Sequence, residues 1–471
     1  MKNDLNCIFM GLALFAVSSV QADAGQQPNI LLILTDDQGY HDLGCQGVTD
    51  FETPNIDRLA ASGVRFTDGY VTAPQCGPSR AGLLMGMSQS RFGFTDNNHD
   101  PGLPSKGLVQ TLPEQLEALG YATGMIGKWH IGYHRDGSDW PSTLAGNNPW
   151  ERGFDYTLRM TGGSAHYYPY SVAGEKYMTS RKWKPRLQLK EGAGSDPIDL
   201  DGLPENTYLT DYFSEQGAEF IRRNTEKPWF LYMAYNAPHT PTVAKPEKLR
   251  KYTAIKDKTR QSLAAMMDSL DEGVGHLLEA LEETGQTRRT LVWYLSDNGG
   301  PTTKNGSRND PFSGVKGCVH EGGIRVPFIV SWPGTLPEGK VVTDPVISLD
   351  ILPTSIAAAG GGQVAAVHDG KNLLPWLTGK EPCPNDVLYW TWRGNYSAIR
   401  MGVLKETRNR GDTTSVKGQT VPAHIFSDLS ENPEELASKA LKNPEKKQIL
   451  SGKLDQWLRQ MEIDRKVYTP K

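Results

Sequence analysis

Three runs of the chain, residues 29–34, 229–235 and 291–295, are apolar at nearly every position and lack the alternation of a strand with one wet face. That is the pattern of strands buried on both faces of a parallel sheet. Residues 121–127 and 328–332 read as further strands, and 64–67 as a short one. Between them, residues 53–63, 112–120, 211–223, 259–284 and 349–360 carry apolar side chains at helical spacing, two of these stretches closing on Gly63 and Gly120. They predict amphipathic helices, and the alternation predicts an α/β fold.

The residues that follow the predicted strands are polar. Asp36-Asp37 comes after 29–34, Lys128 and His130 after 121–127, His239 after 229–235, and Asp297-Asn298 after 291–295. Open α/β sheets bind ligands at the carboxyl ends of their strands. An isolated Asp-Asp is more often a solvated turn or a helix cap. At this position the repulsion of two carboxylates favours a divalent-metal site, and the oxygens of Asp297 and Asn298 suit the same hard cation. Lys128 and His130, two apart in extended chain, are expected to face the same way and to form an oxyanion site. A glycine-rich loop, 314–327, adds Lys316.

Residues 73–86 read Ala-Pro-Gln-Cys-Gly-Pro-Ser-Arg followed by a small and apolar run. Cys76 lies between turn formers at the start of a predicted helix, with Arg80 four residues on. A helix N-terminus beside a fixed cation attracts anions and lowers a thiol pKa.

Composition changes this picture little. With 471 residues, 38% hydrophobic and 22% charged, the chain has ample material for a large core, and its net charge of -4 gives no basic excess for nucleic acid. An anion site must therefore be built from a few placed cations. Residues 1–24 combine a basic start, an apolar segment too short to span a bilayer, and small residues at Ala22 and Ala24. They read as a secretory leader, predicting a periplasmic or secreted protein with no membrane association after cleavage. Cys45, Cys76, Cys318 and Cys383 would remain, room for a single disulfide that sequence alone does not choose.

From 133 to 201 regular periodicity fails and Gly, Pro and aromatic residues accumulate. Long irregular insertions are often binding loops, and Trp140, Arg152, His166 and Tyr167 are candidates for sugar contacts; a loop packed by its own aromatics is the competing reading. Beyond 385 the pattern changes to short antiparallel strands, 387–392, 397–405 and 424–428, and then helices from 433 to 461. The predicted division is a leader, 1–24, a catalytic domain, 25–385, and a C-terminal subdomain, 386–471.

Taken together, Asp36-Asp37, Cys76-Gly77-Pro78-Ser79-Arg80, Gly127-Lys128-Trp129-His130, His239 after Ala237-Pro238, Asp297-Asn298-Gly299 and Lys316 ahead of Glu321-Gly322-Gly323-Ile324-Arg325-Val326-Pro327 resemble the type I sulfatases of the alkaline-phosphatase-like superfamily. The resemblance implies a large mixed, mostly parallel sheet flanked by helices, with a smaller C-terminal α+β subdomain. It implies that a formylglycine-generating or anaerobic maturase converts Cys76 to Cα-formylglycine, and that Asp36, Asp37, Asp297 and Asn298 hold one Ca²⁺ beside it. One hydroxyl of the aldehyde hydrate, deprotonated with help from Asp297 and the metal, would attack sulfur. Arg80, Lys128 and Lys316 would share the charge of the sulfuryl oxygens, and His239 with Lys316 would protonate the leaving oxygen. His130 would then take the second hydroxyl's proton, so that the covalent hemiacetal expels sulfate. The expected substrate is a sulfated polysaccharide or its oligosaccharides, with an algal galactan such as carrageenan preferred. Glycosaminoglycans, a phosphonate or phosphodiester hydrolase of the same superfamily, and a non-catalytic carbohydrate-binding relative are the alternatives. The sequence does not specify the oligomeric state.

Overall fold

The structure is a computed structural model that describes residues 27–133, 144–160, 162–180, 187–192, 196–200, 202–409, 411–414 and 420–470. The leader and Trp140 lie outside the described residues.

The apolar runs form the middle of a ten-stranded sheet. Its order is Lys340–Val342, Val64–Phe66, Phe328–Ser331, Thr290–Ser296, Asn29–Thr35, Trp229–Ala234, Ala122–Lys128, Tyr156–Met160, Leu187–Glu191 and Ile198–Leu200. The five strands from Thr290–Ser296 to Tyr156–Met160 are mutually parallel, and antiparallel pairs flank them on both sides. Along Asn29–Thr35 successive side chains enter opposite layers: Ile30, Leu32 and Leu34 join one core, Leu31 and Ile33 the other. With no wet face, the strand is aliphatic from Ile30 to Leu34 and polar only at its two ends, Asn29 and Thr35. Each such buried aliphatic side chain stabilises the fold by on the order of 2 kcal/mol.

The insertion between 133 and 201 is more regular than its composition predicts. It contains the sheet strand Tyr156–Met160, the helix Val172–Ser180 and the two edge strands. Tyr156–Met160 is buried throughout although Thr157 and Arg159 interrupt its apolar pattern. Arg159 is accommodated because its guanidinium lies 4.5 Å from the centre of the Trp150 ring and donates to Gln188.

The C-terminal sheet has the order Val387–Trp392, Tyr396–Met401, Leu404–Arg408, His424–Asp428, all antiparallel. The single strand expected over 397–405 is two strands of a hairpin, turned at Gly402 with φ of 56°. A positive φ is where glycine carries no Cβ penalty. Leu450 and Leu454 of the helix Pro444–Tyr468 cover one face through Ile399 and Leu404, while Leu388, Trp390, Trp392 and Ala398 join the main core from the other. Cys45, Cys76, Cys318 and Cys383 are all unbridged. Among the described residues no helix is long and apolar enough to cross a membrane.

Candidate active site

The parallel ladder stops where the polar residues begin. The amide of Asp36 donates to Ala237 O (2.9 Å) and that of Asp297 to Thr35 O (3.0 Å), so both carboxylates emerge at one edge of the sheet. Asp37 has φ of 65° and His130 φ of 57°. Left-handed backbone at non-glycine residues is held only where the surroundings over-determine it, and it concentrates at functional sites. The turn at His130 also means that Lys128 and His130 do not follow the expected extended alternation. Gly163 makes room for the imidazole: a Cβ there would come within 2.5 Å of His130 Nε2.

Cys76 opens the helix Cys76–Met85 and is buried. Its Sγ is 3.1 Å from Lys316 Nζ and 3.9 Å from Asn97 Nδ2. Burial pushes the thiol pKa up against the pull of Lys128 and Lys316, so the unmodified side chain stays a thiol, contrary to the lowered pKa that a helix start beside Arg80 suggests. Arg80 is fully buried; it donates through Nε to Asp297 Oδ2 (2.9 Å) and through a terminal nitrogen to Lys128 O (2.8 Å). Lys128 Nζ donates to Asp36 Oδ2 and Lys316 Nζ to Asp37 Oδ1, each at 2.5 Å.

The electrostatics are uneven. Burial would raise the Asp37 carboxyl, but the ammonium of Lys316, His239 and the hydrogen bonds from Lys316 and Asn298 outweigh it and hold it far below the usual range. Asp297 is pushed up to about 6 by burial and the neighbouring Asp36. His239 is pushed down to about 3 by burial, with Lys316 and Lys128 overcoming the attraction of Asp37. Its Nδ1 lies 2.6 Å from Thr240 O, which fixes the proton there and leaves Nε2 facing Asp37 Oδ2 at 3.6 Å. His130 is held neutral by burial and by the same cations, and its Nδ1 is buried without a partner.

Two acceptors in this dense network have nothing to accept from: Asp36 Oδ1 and Asn298 Oδ1 are buried and unpartnered. Orphaned oxygens beside three carboxylates are a donor set suited to a hard divalent cation. Ligand atoms of Asp36, Asp37, Cys76 and His239 lie within 4.8 Å of one another. His239, read from sequence as a proton donor, thus belongs to the converging group, while Asn298 reaches it by donating to Asp37 Oδ1 at 2.8 Å.

Three of the four residues expected to meet a sugar, Arg152, His166 and Tyr167, do other work. Arg152 is buried beneath the helix Leu112–Ala118, donating to Glu114 Oε1 (2.9 Å) and Pro104 O (3.0 Å). Tyr167 is fully buried, its hydroxyl donating to the carbonyls of Asn236 (2.7 Å) and His239 (2.9 Å) and so bracing the His239 turn. His166 folds onto its own loop, with Nδ1 3.1 Å from Tyr168 O. Sequence reasoning missed Asn97, which accepts from Gly77 N at 3.0 Å, and Asn305, which donates to Asp37 O and Pro238 O. A lone Asn in a loop carries no signal of such contacts.

A mixed, mostly parallel sheet with carboxylates, fixed cations and a buried helix-start cysteine at its carboxyl edge defines a class, that of hydrolases acting on anionic esters. Residues 28–361 match the family described as Sulfatase, and the chain belongs to that family. It is a sulfuric ester hydrolase. N-acetylgalactosamine-6-sulfatase of Canis lupus familiaris is 32% identical over 428 residues, covering 83% of this chain and 77% of the relative. The crystal structure of Ps i-CgsB superposes with a TM-score of 0.77 at 31% identity, covering 95% of each chain. The crystal structure of Ps i-CgsB in complex with k-i-k-neocarrahexaose gives 0.75 at 31% identity over 92% of this chain and 93% of that one.

Proposed function

We propose that this sulfatase hydrolyses sulfate esters on a sulfated polysaccharide or its oligosaccharides, preferably a galactan of the carrageenan type, after conversion of Cys76 to formylglycine and with one Ca²⁺ in the acidic donor set. The observation that carries the reading is the setting of Cys76: a neutral, buried thiol at a helix start, within 3.1 Å of Lys316 and next to the orphaned oxygens. A cysteine nucleophile needs a thiolate, which this environment opposes. A cysteine that serves as precursor of an aldehyde needs the position and not the thiolate. The carbohydrate part is supported by the neocarrahexaose complex of the similar protein. Export through the leader to a periplasmic or extracellular location belongs to the same reading.

The aldehyde supplies, as its hydrate, a hydroxyl for attack on sulfur, and Ca²⁺ supplies positive charge beside it. Asp36, Asp37, Asp297 and Asn298 would hold the ion, and residue 76 and His239 converge on the same donor set. Arg80, Lys128 and Lys316 are fixed by their carboxylate partners before substrate arrives, so they stabilise charge on the sulfuryl oxygens without reorganising. Asp297 is the carboxylate that receives the proton of the attacking hydroxyl. His239 is neutral in the free site, and its Nε2 gains a proton to give to the leaving oxygen only once an anionic ester offsets Lys316 and Lys128. His130, neutral with an unpartnered Nδ1, accepts the proton of the second hydroxyl.

The test is sulfate release by aldehyde-bearing protein with Ca²⁺ from defined carrageenan and glycosaminoglycan oligosaccharides. Release from the galactans is expected. Release from glycosaminoglycans alone would move the substrate to that class, and none from any glycan, with the aldehyde confirmed by mass, would overturn the reading.

A further inference from the structure

A cleft of about 580 Å³ is not used by the chemistry above. Its walls are the loop 95–99, the turn 393–396 of the C-terminal hairpin, and Arg465 of the last helix. Asp96 and Asn98 line it. Asn97, between them in the chain, has its Nδ2 3.9 Å from Cys76 Sγ, so two residues of the cleft wall flank a neighbour of Cys76.

Its charges are mostly positive. Arg393 and Arg465 face a single carboxylate, Asp96, which is already engaged by Arg393 Nε at 3.2 Å and by His99 Nδ1 at 3.1 Å. Among the described residues no ion pair reaches Arg465, and its Nε is buried without a hydrogen-bond partner. A guanidinium left unpaired at the wall of a cleft is matched by an oxyanion, which accepts its fork of donors. Arg393 keeps 41% of its side-chain surface open and His99 73%, so both remain available to a ligand. Tyr396 adds an aromatic wall, its ring tilted 56° to that of Trp392 with the ring centres 4.7 Å apart.

We infer that this cleft accepts a second sulfate ester of the same glycan, on a ring next to the one being desulfated. The inference rests on the carbohydrate sulfatase reading and gives it a preference for densely sulfated chains. The specificity then comes from the C-terminal subdomain, through the 393–396 turn and Arg465, and not from the aromatic insertion that composition singles out.

The experiment uses full-length Cys76→Ala protein, which leaves glycans intact, and calorimetric titration with two galactan hexasaccharides. One carries sulfate only at the scissile position; the other carries a further sulfate on the neighbouring ring. The doubly sulfated glycan is expected to bind about tenfold tighter, the scale of one charge-assisted contact. Arg465→Gln removes most of that difference without lowering Tm, because Arg465 holds no ion pair among the described residues. Arg393→Gln also reduces it, with some loss of Tm because its bond to Asp96 joins the hairpin to the catalytic domain. Equal affinity for the two glycans, or a difference that survives Arg465→Gln, overturns the inference. Sulfate release from the singly sulfated glycan by aldehyde-bearing protein is followed separately. Release together with equal affinities would sink the second-sulfate site alone, and neither release nor binding would sink the galactan reading with it.

Discussion

Two of the buried charged clusters among the described residues differ in one respect. The first is the active site, where Asp36, Asp37 and Asp297 meet Arg80, Lys128 and Lys316. The second joins the C-terminal sheet to the catalytic domain, where Asp68, Glu321 and Glu435 meet Arg325, Arg400 and Lys405. Formal charges balance in both. In the second, every carboxylate oxygen is used: Glu321 accepts from Lys405 (2.7 Å), Tyr70 (2.6 Å) and Arg325 (2.9 Å), and Glu435 from Thr407 (2.6 Å) and the Glu321 amide (2.7 Å). Asp68 pairs with Arg325 through one oxygen and with Arg400 through the other. In the first, two oxygens are orphaned and the carboxyls are driven apart, Asp297 up to about 6 and Asp37 far down. Glu321, by contrast, is brought down to about 2: burial opposes its charge, but Lys405, Arg325 and Arg400 prevail. A satisfied ionic cluster fixes domains in place. An unsatisfied one is a site awaiting charge.

That contrast is exposed to measurement. The largest effect belongs to Cys76→Ala, which should lower sulfate release by about 10⁴-fold or more, as expected for removal of a nucleophile, and leave Tm nearly unchanged. Near wild-type turnover would remove residue 76 from the chemistry. In the other cluster, Lys405→Ala leaves Glu321 and Glu435 buried without their ammonium and should destabilise the fold by about 3–5 kcal/mol in denaturant titration. A change below about 1 kcal/mol would mean that the cluster is not a clamp. Inside the active site, His239→Ala should slow cleavage of sugar sulfates by about 10²–10³-fold and that of an activated aryl sulfate far less. Equal losses on both would exclude proton donation.

Calcium at a hundredfold excess over its dissociation constant should stabilise the wild type by about 2.7 kcal/mol. The shift should vanish in Asp36→Asn combined with Asn298→Ala and persist in Glu321→Gln. A smaller separation should appear in the metal-free protein as a function of pH. The folded-state pKa of Asp297 lies above its unfolded value, so its destabilising effect develops as pH rises from about 4 to about 6. The folded-state pKa of Glu321 lies below its unfolded value, so its stabilisation is full above about 4.5 and lost as pH falls toward about 2. Asp297→Asn should remove the first slope only and Glu321→Gln the second only; denaturation curves in chelator at several pH values would show a reversed assignment.

Much of the catalytic cluster was legible because each member ends a strand that the hydrophobic pattern announces. Asp36, Lys128, His239 and Asp297 all lie within a few residues of the end of a run with no wet face. Other parts were hidden for physical reasons. Tyr156–Met160 escaped notice because Arg159 breaks its apolar run and is rescued by Trp150 and Gln188, partners that come from other segments. Arg152 looked like a cleft residue because an Arg among aromatics suits sugar, yet its destination is a Glu114 carboxylate 38 residues earlier. The thiol pKa of Cys76 was misjudged because a helix start and Arg80 are visible in sequence, whereas burial is not.

The sequence by itself determined the central strands and the long helices of the main sheet, the identity of the groups near the strand ends and the helix that begins at Cys76, since these follow from local pattern and turn chemistry. Tertiary structure alone decided which oxygens are left without partners and which carboxyls are raised or lowered. It also placed Asn97 against Cys76 and brought Arg393 and Arg465 to the wall of one cleft. Those properties depend on desolvation and on distances between residues far apart in the chain, and neither is written in any single stretch of it.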